Sequence, residues 1–83
     1  METVTRTPRQ LGNALRQRRR QLHLTQETLA AQIKLRQSTI SDLENSATQT
    51  KTGTLLSVLA ALDLELVVRP RTKSSPHEIE ANF

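Results

Sequence analysis

The side chains best suited to chemistry lie in the run QSTISD, Gln37 to Asp42, where one amide, three hydroxyls and one carboxylate surround a single isoleucine. These are short donors and acceptors, suited to recognising another molecule's hydrogen-bonding edges rather than to breaking bonds. An α-helix fits the major groove of DNA, where each base pair presents a distinguishable donor and acceptor pattern. Short polar side chains on such a helix reach base edges with little loss of entropy. An ordinary surface helix is the competing reading, but solvated helices carry more Lys and Glu and fewer Gln, Ser and Thr.

Helical elements must hold that run in place. Thr7 before Pro8 starts a first helix, because Thr caps free backbone N–H groups and Pro at the first helical position loses no bond it needed. Leu11, Ala14, Leu15 and Leu22 repeat at helical spacing and carry this helix from Pro8 to about Leu22. Thr25 starts a second, with Leu29, Ala30 and Ile33 as its apolar stripe, giving a short helix from Gln26 to Gln32. Ile40 and Leu43 resume the period and place a third helix from Gln37 to Asn45. Residues 46–53 read as a polar loop. Thr54 to Leu62 is apolar at almost every position, so a fourth helix there is covered on more than one side. Leu64, Leu66 and Val68 then alternate with Glu65, Val67 and Arg69 at a period of two, ended by Pro70. No other segment offers this strand a partner, and a second copy of the same strand is the economical solution. Residues 1–6 read as a flexible arm, and 70–83 as a tail disordered in the free protein.

Composition bounds the rest. A chain of 83 residues buries only about 60% of the surface its unfolded form exposes, which argues against a deep catalytic cleft. With no cysteine there is no disulfide framework and no thiolate metal site, and His23 and His77 lack metal-ligand spacing. No Gly-rich phosphate loop is present. The expectation is a protein that is not an enzyme and needs no cofactor or metal. No apolar run approaches the roughly 20 residues that span a bilayer, so we expect no membrane contact and a cytoplasmic, nucleoid-associated location. The net charge of +4 is unevenly placed: Arg6, Arg9, Arg16, Arg18, Arg19 and Arg20 fall in the first twenty positions, with Glu2 the only acid. A polyanionic partner explains this grouping, and a solvated charged helix face explains it too.

The segment TQETLAAQIKLRQSTISDLEN, residues 25 to 45, resembles the Cro/repressor-type (XRE-like) helix-turn-helix family through Gln26, Leu29, Ala30, Ile33, Gln37, Ile40, Ser41 and Glu44. The flanking helices extend the likeness to residues 7 to 63. LDLELVVRP after the fourth helix, followed by a polar tail, is similar to the HipB-like antitoxins. The resemblance implies an all-α, four- to five-helix, lambda-repressor-like bundle over 7–63, with strand 64–69 pairing across a homodimer through Leu64, Leu66 and Val68. It also implies a repressor that autoregulates its operon, binds double-stranded DNA at an inverted repeat, and holds a HipA-type serine/threonine kinase toxin. A stand-alone XRE-type regulator and an adaptor without DNA binding are the alternatives.

Within that frame Arg36, Gln37, Ser38, Thr39 and Ser41 are expected to read bases. Arg16, Arg20, Gln26 and Lys34 are expected to hold phosphates, and Arg18 can also approach one. Lys34 stands where the family usually has Gly, at a position that needs a left-handed backbone, and Arg36 stands where a Ser or Thr cap is usual. Each departure costs about 1 kcal/mol, which points to a use for the two charges, although both could simply lie on the surface. Arg19 falls on or beside the buried stripe of the first helix, and Glu44 sits similarly beside Ile40 and Leu43. The resemblance supports an ion pair between them. Phe83, the only aromatic residue, is a possible toxin contact, and an inconsequential terminus is the competing reading.

Overall fold

The computed structural model describes residues 2–46 and 49–71. Its elements are α1 (Pro8–Gln21), α2 (Gln26–Gln32), α3 (Gln37–Ser46) and α4 (Thr52–Ala61). The two threonine starts are capped as their chemistry demands: Gln10 N donates to Thr7 Oγ1 at 3.1 Å and Thr28 N to Thr25 Oγ1 at 3.0 Å. Each cap satisfies a backbone donor that the helix itself cannot.

The core is Leu15 from α1, Leu29 and Ala30 from α2, Ile40 and Leu43 from α3, and Val58 and Leu59 from α4, closed by Leu62. α3 packs against both α1 and α2, and α2 also touches α4. At the α1–α3 crossing the backbones nearly touch. A Cβ on Gly12 would meet the Glu44 carbonyl oxygen and would lie 2.8 Å from both Glu44 C and Leu43 O. Real side-chain carbons do not approach that closely, so only glycine fits. Nothing in the sequence reading singled out Gly12.

Three helices end in the same way. After α1, α2 and α4 come His23 (φ 57°), Lys34 (φ 58°) and Asp63 (φ 57°), all left-handed and none glycine. In each case the next residue's amide reaches back five positions: Leu24 N to Arg19 O, Leu35 N to Ala30 O and Leu64 N to Leu59 O. The left-handed residue's own amide reaches back three. This paired arrangement satisfies carbonyls left open at a helix end, and an apolar residue normally follows it onto the core. Leu24, Leu35 and Leu64 all do so.

The bounds of two helices need correction. α4 starts at Thr52 rather than Thr54 and α3 runs to Ser46, so the polar loop is shorter than 46–53. Gly53, expected at the end of that loop, occupies an early α4 position with open space around it. No strand occurs among the described residues of this single chain, and the expected strand was one paired between two copies. Leu64 does not stand on an open strand face; it ends the α4 turn and packs half-buried on its own chain's core. Among the described residues, 65–71 have no neighbouring strand, and a second copy of the chain would supply one.

Candidate nucleic-acid interface

α3 is buried through Ile40, Leu43 and Glu44, while Gln37, Ser38, Asp42 and Asn45 are exposed and Thr39 and Ser41 half-exposed. The helix therefore turns a polar face outward. The α2–α3 turn leaves Lys34 and Arg36 exposed. Lys34 adopts the left-handed conformation that a glycine would hold without strain. The Arg36 backbone carbonyl takes the Thr39 and Ile40 amides at the start of α3.

Behind this face lies a polar network anchored on two nearly buried charges, Arg19 at 9% exposure and Glu44 at 2%. Arg19 Nε donates to Glu44 Oε2 at 2.6 Å and Nη2 to Oε1 at 3.0 Å, a two-pronged match of guanidinium to carboxylate. Arg19 Nη1 also donates to Leu24 O at 2.8 Å, tying in the α1–α2 turn. Burial of Glu44 opposes its ionisation. The hydrogen bonds from Arg19 and Gln26, the Arg19 charge and the Arg16 hydrogen bond together outweigh that penalty and hold its carboxyl below the ordinary glutamate range. The hydrogen bond to Glu44 likewise raises Arg19 against the opposing effect of burial, so both groups stay charged.

The network continues to the surface. Gln26 Nε2 donates to Glu44 Oε1 at 3.2 Å, and Gln37 Nε2 donates to Gln26 Oε1 at 2.9 Å. A chain of bonds thus runs from the buried pair to the first side chain of α3. Gln26, expected at a phosphate, is engaged at both ends of its amide with protein. Arg16 is also less free than its sequence position implied: Nη2 donates to Asn45 Oδ1 at 2.8 Å and Nε to Glu44 Oε1 at 3.4 Å, with a third of the side chain exposed. Arg18 turns to α4, donating through Nε to Leu62 O at 2.9 Å and lying 3.8 Å from Asp63. It closes the α4 end rather than facing outward. Arg6, Arg9 and Arg20 are exposed.

Sequence reasoning missed Asn45, which binds Arg16 and, through Nδ2, Ser41 Oγ at 3.4 Å. Its spacing of four from Ser41 on an outward helix face was the available signal. Leu66, Val67 and Val68 are exposed, and Arg69 Nη1 reaches Glu2 Oε1 at 3.3 Å near the other chain end. His77 and Phe83 lie outside the described residues. No helix of the structure is long and apolar enough to cross a membrane. Among the described residues no group of three or more His, Asp or Glu is placed to hold a metal.

Comparison with known proteins places this geometry in a family. A helix-turn-helix family model, HTH_3, matches residues 15–68. The chain is 35% identical over 74 residues to the antitoxin HipB of Escherichia coli K12, covering 89% of this chain and 84% of that one. HipB of E. coli O6:H1 gives the same identity over 79% of its length. Among solved structures, a HipB variant in complex with the O2 20-mer superposes with a TM-score of 0.80 at 32% identity, over 87% of this chain and 100% of that chain. HipB in a HipA–HipB–O2–O3 complex superposes at 0.79, also at 32% identity, over 86% of this chain and 100% of that one. The outward polar face of α3, the bonded network behind it and these likenesses agree: the chain belongs to the helix-turn-helix family, XRE type, and within it to the group of the HipB antitoxins.

Proposed function

We propose that this protein is a sequence-specific DNA-binding antitoxin that acts as a homodimer, represses its own operon and holds a HipA-type serine/threonine kinase toxin. What carries the reading is the likeness to HipB in sequence and shape together, extending over most of both chains and including a neighbour solved with HipA. The protein works by binding and not by catalysis, in the cytoplasm on the nucleoid. Residues 7–63 form the DNA-binding body, 64–69 the dimer strand, and 1–6 and 70–83 the free ends. Leu66 and Val68 meet their copies across the two-fold axis, with Leu64 anchoring the strand to its own body.

In the mechanism, Gln37 pairs with adenine through its amide and Arg36 with guanine through its guanidinium, while Ser38, Thr39 and Ser41 reach neighbouring edges. Gln37 arrives oriented, because Gln26, itself bonded to Glu44, already holds its amide. Arg20 and Lys34 hold phosphates from exposed positions; Arg16 and Gln26 do so while remaining part of the network. A two-fold dimer presents two α3 helices, so the site is an inverted repeat with half-site centres about one turn, roughly 34 Å, or a multiple apart. Phe83 and the tail engage the toxin without touching DNA.

Titration of the full chain against duplexes from upstream of its own gene, at several salt concentrations, tests the reading. Arg36→Ala or Gln37→Ala should cost about 1 to 3 kcal/mol and relax preference at one base per half-site, whereas Arg20→Ala should weaken all duplexes alike and reduce the salt slope. Co-purification of a neighbouring kinase, lost on truncation after Lys73, tests the toxin arm. Unselective binding by the intact protein would remove the repressor reading. Absence of any kinase partner would reduce it to a stand-alone regulator.

A further inference from the structure

We propose that Asn45 sets the hydrogen-bonding polarity of Ser41, and so is a specificity-positioning residue that joins base reading to the grip of Arg16. The inference rests on the reading that α3 enters the groove. Arg16 has only donors to offer, so the Asn45 atom 2.8 Å from its Nη2 must be the carbonyl oxygen. The amide nitrogen is thereby left facing Ser41, where it donates to Oγ at 3.4 Å. A hydroxyl that accepts from a neighbour directs its own proton elsewhere. Asn45 is the only hydrogen-bond partner of the Ser41 hydroxyl among the described residues, and Ser41 is half-exposed on the outward side of α3. With one lone pair taken, the Ser41 hydroxyl keeps its proton free for the groove and only one lone pair left to accept, so donation is its favoured mode there.

A donor at that point favours base edges that accept, such as guanine O6 and N7 or thymine O4, and disfavours the N4 amino group of cytosine. Arg16 determines which way round the Asn45 amide stands, and the amide determines which way round the Ser41 hydroxyl stands. An arginine that never touches a base thus contributes to which base is chosen.

Selection of the full-length protein and its variants against a library of duplexes with randomised sequence reads this polarity directly. The wild-type protein should enrich guanine or thymine over cytosine at the position beneath Ser41. Asn45→Asp places an acceptor beside Ser41, draws its proton inward and should move preference at that position toward cytosine or adenine, by about five- to tenfold for one reversed hydrogen bond. Asn45→Ala frees the hydroxyl to rotate and should flatten preference there. In a Ser41→Ala background, Asn45→Asp should change no base preference at all, a result that a merely structural role for Asn45 does not require. A uniform loss of affinity in Asn45→Asp with the base profile unchanged overturns the inference and leaves the α3 reading intact. Failure of the wild-type protein to enrich any sequence overturns the α3 reading itself, and the inference with it.

Discussion

At the α1–α3 seam, polar and charged groups are removed from water and partnered inside a single chain. After α4, apolar groups are left in water: Leu66 is 56% exposed, Val67 65% and Val68 91%. No buried side-chain nitrogen or oxygen among the described residues lacks a hydrogen-bond partner. The seam sets the orientation of α3 within a protomer, and in the proposed function the segment after α4 sets one protomer against another. On that reading α3 is positioned before the dimer forms, while the distance between the two α3 helices is set only when it does. Perturbing the two regions should separate these roles.

The largest loss is expected at the ion pair. Arg19→Met leaves the Glu44 carboxylate buried with weaker partners and should destabilise by about 3 kcal/mol or more, measured by denaturant melts. A loss under about 1 kcal/mol would mean that water already screens the pair. The same site gives a pH signature. Glu44 titrates below the ordinary glutamate value of 4.5 when folded, so its contribution is complete above that value and is lost as pH falls through the folded value. Glu44→Gln should remove that part of the acid dependence while lowering stability at neutral pH.

Gly12→Ala comes next. Its new methyl group pushes α1 off the α3 backbone and should cost about 2 to 3 kcal/mol. Because the crossing also aligns Arg16 and Arg19 with Glu44, DNA affinity should fall with stability. A stable, fully active Gly12→Ala would show that the seam yields more easily than its backbone contacts imply.

Val68→Asp reverses the pattern. In one chain it touches little, so the helical melt of the monomer should be unchanged, but loss of an apolar contact worth about 2 kcal/mol per copy should shift sedimentation from dimer toward monomer. A dimer of unaltered strength would move the interface away from this segment. The smallest effect is a gain: Lys34→Gly relieves a left-handed lysine and should stabilise by about 1 kcal/mol, while removing one exposed cation from the DNA face. If DNA affinity is unaltered as well, Lys34 holds no phosphate.

Signals spaced within one or two turns were legible. Thr7 and Thr25 mark helix starts because the cap and its recipient amide are three residues apart, and the core stripe follows from the helical period. What escaped depends on neighbours distant in sequence. Arg16 and Arg18 read as free cations because Asn45 and the Leu62 carbonyl, their partners, lie 29 and 44 residues away. Gly12 had no visible reason until the Glu44 backbone stood beside it. His23 and Asp63 were passed over because no glycine advertised the turn, yet Leu22-His23-Leu24, Ile33-Lys34-Leu35 and Leu62-Asp63-Leu64 repeat one apolar–polar–apolar pattern. Within the interface, the outward residues of α3 could be named from periodicity alone. The route by which Glu44 and Gln26 orient Gln37 could not, since it leaves α3 for α2 and returns.

The three left-handed helix ends bear on how long the chain survives. Each non-glycine residue there forgoes up to about 1 kcal/mol, less for His and Asp than for Lys, and a small domain has only some 5 to 15 kcal/mol in total. A body that leaves this much unclaimed opens more often, and proteases cut opened chains in proportion to how often they open. Whatever binds the closed form slows that clock by mass action. DNA, a second copy or a protein partner would then each lengthen the life of the molecule it holds, and an unbound chain would be the first to be degraded.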